Sequence, residues 1–443
     1  MKAKYFPINF SIEKNIQPEL PITSSLFGAE FVRNDDLESL FSFPKEHQDN
    51  MPFYVFNGKE ANHITEVSER AYDALCSAVE WLDHNREYVP RFFGKDFCEK
   101  YPEFIEYAFW TYQNNVEATY GRFDMAFDPD TGAITGIYEF NGDTPVMLFE
   151  STILQNDLTQ QVRKAQGNKY DQHNFYYESS VKGIPRAFRS KWGHANNVGI
   201  VAHAEYIEDI VTCETLFQIY DSAAGITPYI DHIDNLQDEA GNPEAESIFY
   251  ITDQPLRHLF KLQPWEEVVE SCYDDIISNW REWCEKTKIY EPAWRWFLAN
   301  KGIWALITHI LENDVAFQEK YGDLPFLKTY MSEASFEEAG QPYVQKPLIG
   351  RLSNNIVIHD GKGNITFESD GSYGDIDCVY QEYCAPGRVI GRNNFIVGMW
   401  MGIYPDTVEP LVMQAASLCI REFDKPVLDI KNERFIPHLI ELS

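Results

Sequence analysis

The sequence predicts an α+β fold with an α/β portion, because helical and strand signals are mixed along its 443 residues. Val67, Ala71, Leu75, Val79 and Leu82 recur at close to helical spacing over 65–82. Alternating runs at 123–127 and 134–140 flank Asp128-Pro129-Asp130-Thr131-Gly132, a strong turn sequence, and predict a hairpin. A second hairpin is expected where 355–358 and 364–369 flank Asp360-Gly361-Lys362-Gly363.

Val268, Val269, Cys272, Ile276, Ile277 and Trp280 mark another amphipathic helix, opened by Pro264-Trp265-Glu266. A further helix is expected over 293–311, just after Pro292. The runs 379–383 and 395–401 read as buried strands. The length suits two or three interleaved lobes, and 15% aromatic content suffices for a packed interior.

The chain carries 69 acidic against 37 basic side chains, a formal net charge of -32. No basic footprint for nucleic acid is available. A negative field suits a cationic substrate such as a polyamine, although a solvated acidic surface gives the same balance. The N-terminal residues have no signal-peptide pattern, and no run approaches a membrane span, so a soluble, cytoplasmic protein is expected. Eight scattered cysteines without a CxxC pair favour free thiols over disulfides or zinc.

Pairing Phe127 with Ile134 places Arg122 opposite Glu139 and puts Arg122, Asp124, Glu139 and Asn141 on one strand face. Phe123, Met125, Tyr138 and Phe140 then fall on the other face. Two carboxylates and an amide oxygen beside an arginine make a hard-cation site of the kind magnesium prefers. An exposed strand face with a simple cross-strand ion pair remains the plain alternative.

The segment YGRFD…YEFNGDTP resembles the synthetase signature of the glutathionylspermidine synthetase family. PWE (264–266), EPAWRWFLANKG (291–302), YVQKPLIGR (343–351), VYQEY (379–383), IRE (420–422) and RFIPH (434–438) follow in the family's order. The resemblance runs from about Tyr120 to the C-terminus and implies an ATP-grasp synthetase fold with interleaved lobes. It implies three parts of one unit: 1–119 before the grasp, 120–300 with the metal hairpin and acyl site, and 301–443 for the nucleotide. It also implies ATP and Mg2+ as cofactors and ligation of a peptide carboxylate to an amine.

By the same resemblance, Asp124, Glu139 and Asn141 match metal positions, and Arg122, the catalytic residue, contacts phosphoryl group and acyl substrate. Phe123, Asp124, Lys301, Lys346, Ser353 and Arg421 fall among the ATP contacts, with Gln381, Glu382, Tyr383 and Cys384 as the adenine-binding strand. Thr144 and Arg351 match the acyl-substrate end. Val146 stands where the family has a second hydroxyl, so glutathione itself is in question as substrate. Ser353 replaces a usual glycine, and no amidase portion is expected in the chain. The expected activity is ATP-dependent acid–amine ligation through an acyl phosphate. The rival readings are a catalytically inactive nucleotide-binding regulator and a metal-binding β-domain without nucleotide.

Overall fold

A computed structural model describes residues 1–23, 50–189, 197–203, 207–351, 353–371, 376–403, 413–428 and 432–442. Its centre is an antiparallel sheet in the order Arg434–Ile436, Met413–Phe423, Asn394–Ile403, Tyr120–Asp128, Ala133–Asn141. Gly387–Arg388 pairs with Asn394–Ile403 off this path. Residues 120–141 are thereby sandwiched into one sheet with residues from 387 onward, which is how distant motifs meet.

A second antiparallel sheet orders Thr329–Tyr330, Cys378–Glu382, Tyr343–Pro347, Val357–His359 and Ile365–Glu368. Ile137 bridges to Phe326 and so attaches this sheet to the central hairpin. A third sheet is parallel throughout, with Lys288–Tyr290, His258–Leu262, Asn197–Ala202 and Thr227–His232 in that order. This is the α/β portion that the sequence predicts within an α+β whole.

The helix expected at 65–82 extends over Gly58–His84. Asn57 accepts from the amides of Lys59 and Glu60 while Glu60 reaches back to the Asn57 amide, a complete capping box. Its buried stripe, Ile64, Val67, Ala71, Leu75, Ala78 and Leu82, packs into the main core. Both expected strand pairs form, as do Cys378–Glu382 and Asn394–Ile403.

Two predicted helices are broken. The one over 268–280 stops at Cys272 and resumes only as a 3-10 turn, Ile277–Asn279, and the short helix Trp280–Trp283. There the Ile276 carbonyl accepts the Asn279 amide at 3.2 Å, a 3-10 pattern, and the Trp283 indole at 2.9 Å. The one over 293–311 divides into Arg295–Ala299 and Gly302–Asn313. Asn300 adopts an extended backbone and its side chain accepts the Gly302 amide at 2.9 Å. Gly302 is required for a physical reason: a Cβ there would lie 1.8 Å from the Phe92 carbonyl oxygen. The break moves Lys301 out of a helix interior and onto the junction.

Candidate functional site

The hairpin carries two bulges, one between Ala126 and Phe127 and one between Asp124 and Met125. Phe127 pairs with Ile134 as expected, but Arg122 then faces Asn141, and Asp124 faces Glu139. The expected Arg122–Glu139 pairing is therefore corrected by two residues. Cross-strand partners share a face, so Arg122, Asp124, Glu139 and Asn141 still lie together. Tyr138 is displaced: it is skipped in the pairing, and its hydroxyl donates to the Cys384 carbonyl at 3.0 Å instead of joining the core.

Arg122 donates from Nε to Asp124 Oδ1 at 3.0 Å and from a terminal nitrogen to Oδ2 at 3.3 Å. Its other terminal nitrogen donates to the Val146 carbonyl at 2.6 Å. Arg421, from the strand Met413–Phe423, donates to the same Asp124 Oδ2 and to Glu433 at 3.3 Å. Burial opposes ionisation of Asp124, but the two guanidiniums outweigh it and hold the carboxyl below its ordinary range. Glu422 points the other way, as alternation requires, and binds Arg392 at 2.6 Å and the Tyr54 hydroxyl at 2.7 Å.

Asn141 donates to Asp124 Oδ2 at 2.9 Å and stands 3.5 Å from Glu139 Oε1. Lys301 Nζ lies 4.0 Å from Glu139 and donates to the Gly350 carbonyl at 2.9 Å. Lys346 donates to Gln381 Oε1 at 2.6 Å, and burial lowers its pKa to about 8 despite attraction from Glu139. Gln381 is itself held by Thr329 at 3.3 Å. Arg351 donates to the Thr144 hydroxyl. Ser353 has φ of 55°, in the left-handed region where glycine is the easiest occupant.

Arg122, Asp124, Glu139, Asn141, Thr144, Lys301, Lys346, Arg351, Ser353, Gln381 and Arg421 line one cavity of about 1180 Å³, together with Glu382, Tyr383 and Cys384. Among the residues expected at the site, Phe123 does not line it. Its ring is fully buried against Phe140, with centroids 4.5 Å apart. The oxygen donors fit a hard cation. Asp124 Oδ1 accepts from Arg122, Glu139 is part-exposed, and Asn141, whose amide nitrogen donates to Asp124, offers its amide oxygen. No group of three or more His, Cys, Asp or Glu side chains forms a cage among the described residues, so phosphate or water oxygens must complete any shell.

Sequence reading misses most of the cavity's acidic wall. Glu208 and Asp209 sit in the first turn of Ile207–Ser222, Glu266 and Glu267 in the first turn of Trp265–Cys272, and all four line the cavity with Glu433. Burial, reinforced by neighbouring carboxylates, pushes Glu208 to about 8 and Glu266 to about 7. Burial also lifts Asp209 to about 6, with Arg351 opposing it. The signal was present in PWE, where Glu266 follows the helix-opening Pro264, but nothing local shows that its side chain enters a cavity.

Two further residues hold the hairpin. Arg295 is fully buried and donates to the carbonyls of Tyr120 and Gly142, each at 2.8 Å, and to the Tyr72 hydroxyl at 2.8 Å. Gly121 makes room for it, since a Cβ there would meet the Arg295 guanidinium at 2.4 Å. Buried Glu291 accepts the amides of Thr119 at 3.0 Å and Tyr120 at 3.2 Å. Both belong to the EPAWRWF motif, whose work is thus to fix the strand that carries Arg122 and Asp124.

A Haemophilus influenzae protein bearing the name acid–amine ligase is 25% identical over 367 residues, covering 77% of this chain and 79% of its own. Trypanothione synthetase of Crithidia fasciculata is 23% identical over 311 residues, covering 66% of this chain but only 44% of that protein. The apo structure of a glutathione synthetase-like effector from Globodera pallida shares the fold, with TM-score 0.52, 13% identity, and coverage of 93% of this chain and 97% of that one. The glutathionylspermidine synthase preATP-grasp family model matches residues 15–441, and the chain belongs to that family.

Proposed function

We propose that the protein is an ATP- and magnesium-dependent ligase that joins a peptide-like carboxylate to an amine through an acyl phosphate. The family is one of ATP-dependent acid–amine ligases. The observation that carries the reading is the polarity of a single cavity. Arg122, Lys301, Lys346, Arg351 and Arg421 line it together with Glu208, Asp209, Glu266, Glu267 and Glu433, and Arg421 meets Glu433 at 3.3 Å.

The cations suit a triphosphate and a carboxylate. Lysines supply compact charge to phosphate oxygens, and Arg122 supports charge on the transferring group. Asp124, Glu139 and Asn141 would hold magnesium, which when bound neutralises phosphate charge. The substrate carboxylate oxygen attacks the γ-phosphorus and ADP departs. The amine nitrogen then attacks the acyl carbon, phosphate departs, and the nitrogen's proton passes to a carboxylate of the acidic wall.

That wall supports a cationic amine, including a polyamine. Its crowded carboxylates are raised toward neutrality in isolation, and an entering ammonium relieves their repulsion. Val146 lines the cavity and its carbonyl accepts from Arg122, and its lack of a hydroxyl keeps glutathione in question as the acyl donor. The test is ADP release across peptide carboxylates paired with polyamines and amino acids. Release that requires both partners and yields an amide supports the reading. Nucleotide binding without turnover for any pair would favour the inactive regulator.

A further inference from the structure

Asp143 and Lys261 form an ion pair at 2.9 Å, with both side chains 3% exposed. They come from different sheets. Asp143 follows the hairpin strand Ala133–Asn141, and Lys261 lies near the end of the parallel strand His258–Leu262. Both Asp143 oxygens are engaged: Oδ1 by Lys261, and Oδ2 by the Trp265 amide at 2.8 Å.

The Trp265 amide is the first of the helix Trp265–Cys272, which an aspartate from another lobe therefore caps. Lys261 also donates to the Gln263 carbonyl at 2.7 Å and lies 4.4 Å from the Trp265 ring centroid. The strand-to-helix elbow 261–265 is thus pinned at three points to one carboxylate and one ammonium. The residues flanking the pins line the cavity from two different elements, Asn141 and Thr144 from the hairpin end and Glu266 and Glu267 from the first turn of the helix.

A buried ion pair is a weak source of stability, because desolvation offsets much of its attraction. Its geometry is another matter, since both charges are saturated by directed bonds. We propose that Asp143 and Lys261 are positioning residues that fix the hairpin end carrying Asn141 and Thr144 against the helix start carrying Glu266 and Glu267, and so the phosphoryl-transfer residues relative to the amine-receiving carboxylates. Neither touches the reacting atoms; each acts through the elbow. The inference rests on the ligase reading above.

Such a pair matters most when a labile acyl phosphate must meet its amine before water does. The readout is therefore the number of ADP molecules released per amide formed. Lys261→Arg keeps the charge and lengthens the reach, and Asp143→Asn keeps the size and an acceptor for the Trp265 amide. Both should leave the KM for ATP nearly unchanged while ADP per amide rises by roughly tenfold, since small misplacements cost that much or more.

Thermal unfolding of each variant identifies those that fold, and either folded variant suffices. A variant that is less stable but keeps wild-type coupling overturns the positioning role. So does one in which the KM for ATP rises in step with the lost coupling. Wild-type protein that makes no amide from any pair overturns the ligase reading itself, which is a separate result.

Discussion

Arg122 stands two residues before Asp124 on one strand and grips it with two nitrogens, at 3.0 and 3.3 Å. Arg421 holds the same carboxylate from a neighbouring strand's partner, with Glu433 as its second partner, so two buried guanidiniums share one aspartate. Asp124→Ala removes that balance. Leaving buried charge unpaired costs about 3–5 kcal/mol, and the expected result is a large drop in denaturation midpoint together with loss of ATP-dependent ligation. Arg122→Lys, which keeps one charge, should fold and still lose most turnover. Wild-type ligation by Arg122→Lys would remove Arg122 from the chemistry.

Arg295 satisfies two backbone carbonyls that frame the hairpin, those of Tyr120 and Gly142. Arg295→Met fills similar space but orphans both acceptors. At about 1–3 kcal/mol for each buried group, urea unfolding should show a loss of several kcal/mol. An unchanged midpoint would mean that water replaces the guanidinium.

Ser353 occupies a left-handed backbone conformation in the loop between Lys346 and the strand Val357–His359. Ser353→Gly should be tolerated or slightly stabilising. Ser353→Val places a β-branched residue where such residues are strained, at a cost of about 1–2 kcal/mol. The KM for ATP should rise in the valine variant alone. Equal KM values in the two variants would separate this loop from the nucleotide.

His438 is fully buried; its Nε2 accepts the His173 amide at 3.1 Å and Nδ1 lies 3.0 Å from Gln155 Oε1. Burial, then the charge of His173, depresses its pKa to about 3, and burial with Lys288 and Arg257 does the same for His258. Both are neutral in the folded chain at neutral pH. As pH falls below about 6.5 the unfolded chain binds protons that the folded chain refuses, so stability declines toward pH 3. Each histidine contributes a slope of about 1.4 kcal/mol per pH unit within that window. Denaturation midpoints measured down the acid limb should flatten in His438→Gln relative to wild type. Parallel curves would show that His438 is not a source of the acid sensitivity.

The polar face of the hairpin was legible because alternation and a strong turn specify it locally. Its register was not, since bulges at Thr135 and Tyr138 answer to packing against residues far away, including Leu327 and Cys384 near Gly136. Helix breaks at Asn300 and Ile276 were hidden for a similar reason: apolar spacing continues through them while a side chain captures a backbone partner. The acidic wall is a tertiary product of two helix first turns that begin 58 residues apart, at Ile207 and Trp265, and no local pattern announces it. The motif order carried the rest, by naming residues whose convergence only the sheet topology explains.

The bond from Arg421 to Asp124 spans 297 residues of sequence. During synthesis Asp124 and Arg122 leave the ribosome long before the strand Met413–Phe423 exists to receive them. The centre of the sheet must stay open until then, because Tyr120–Asp128 pairs on one side with Asn394–Ile403. Closing so long a loop is slow and leaves an unpaired strand edge exposed in the meantime. The price of one sheet shared between distant segments is a strand, Tyr120–Asp128, that keeps one edge unpaired for most of translation.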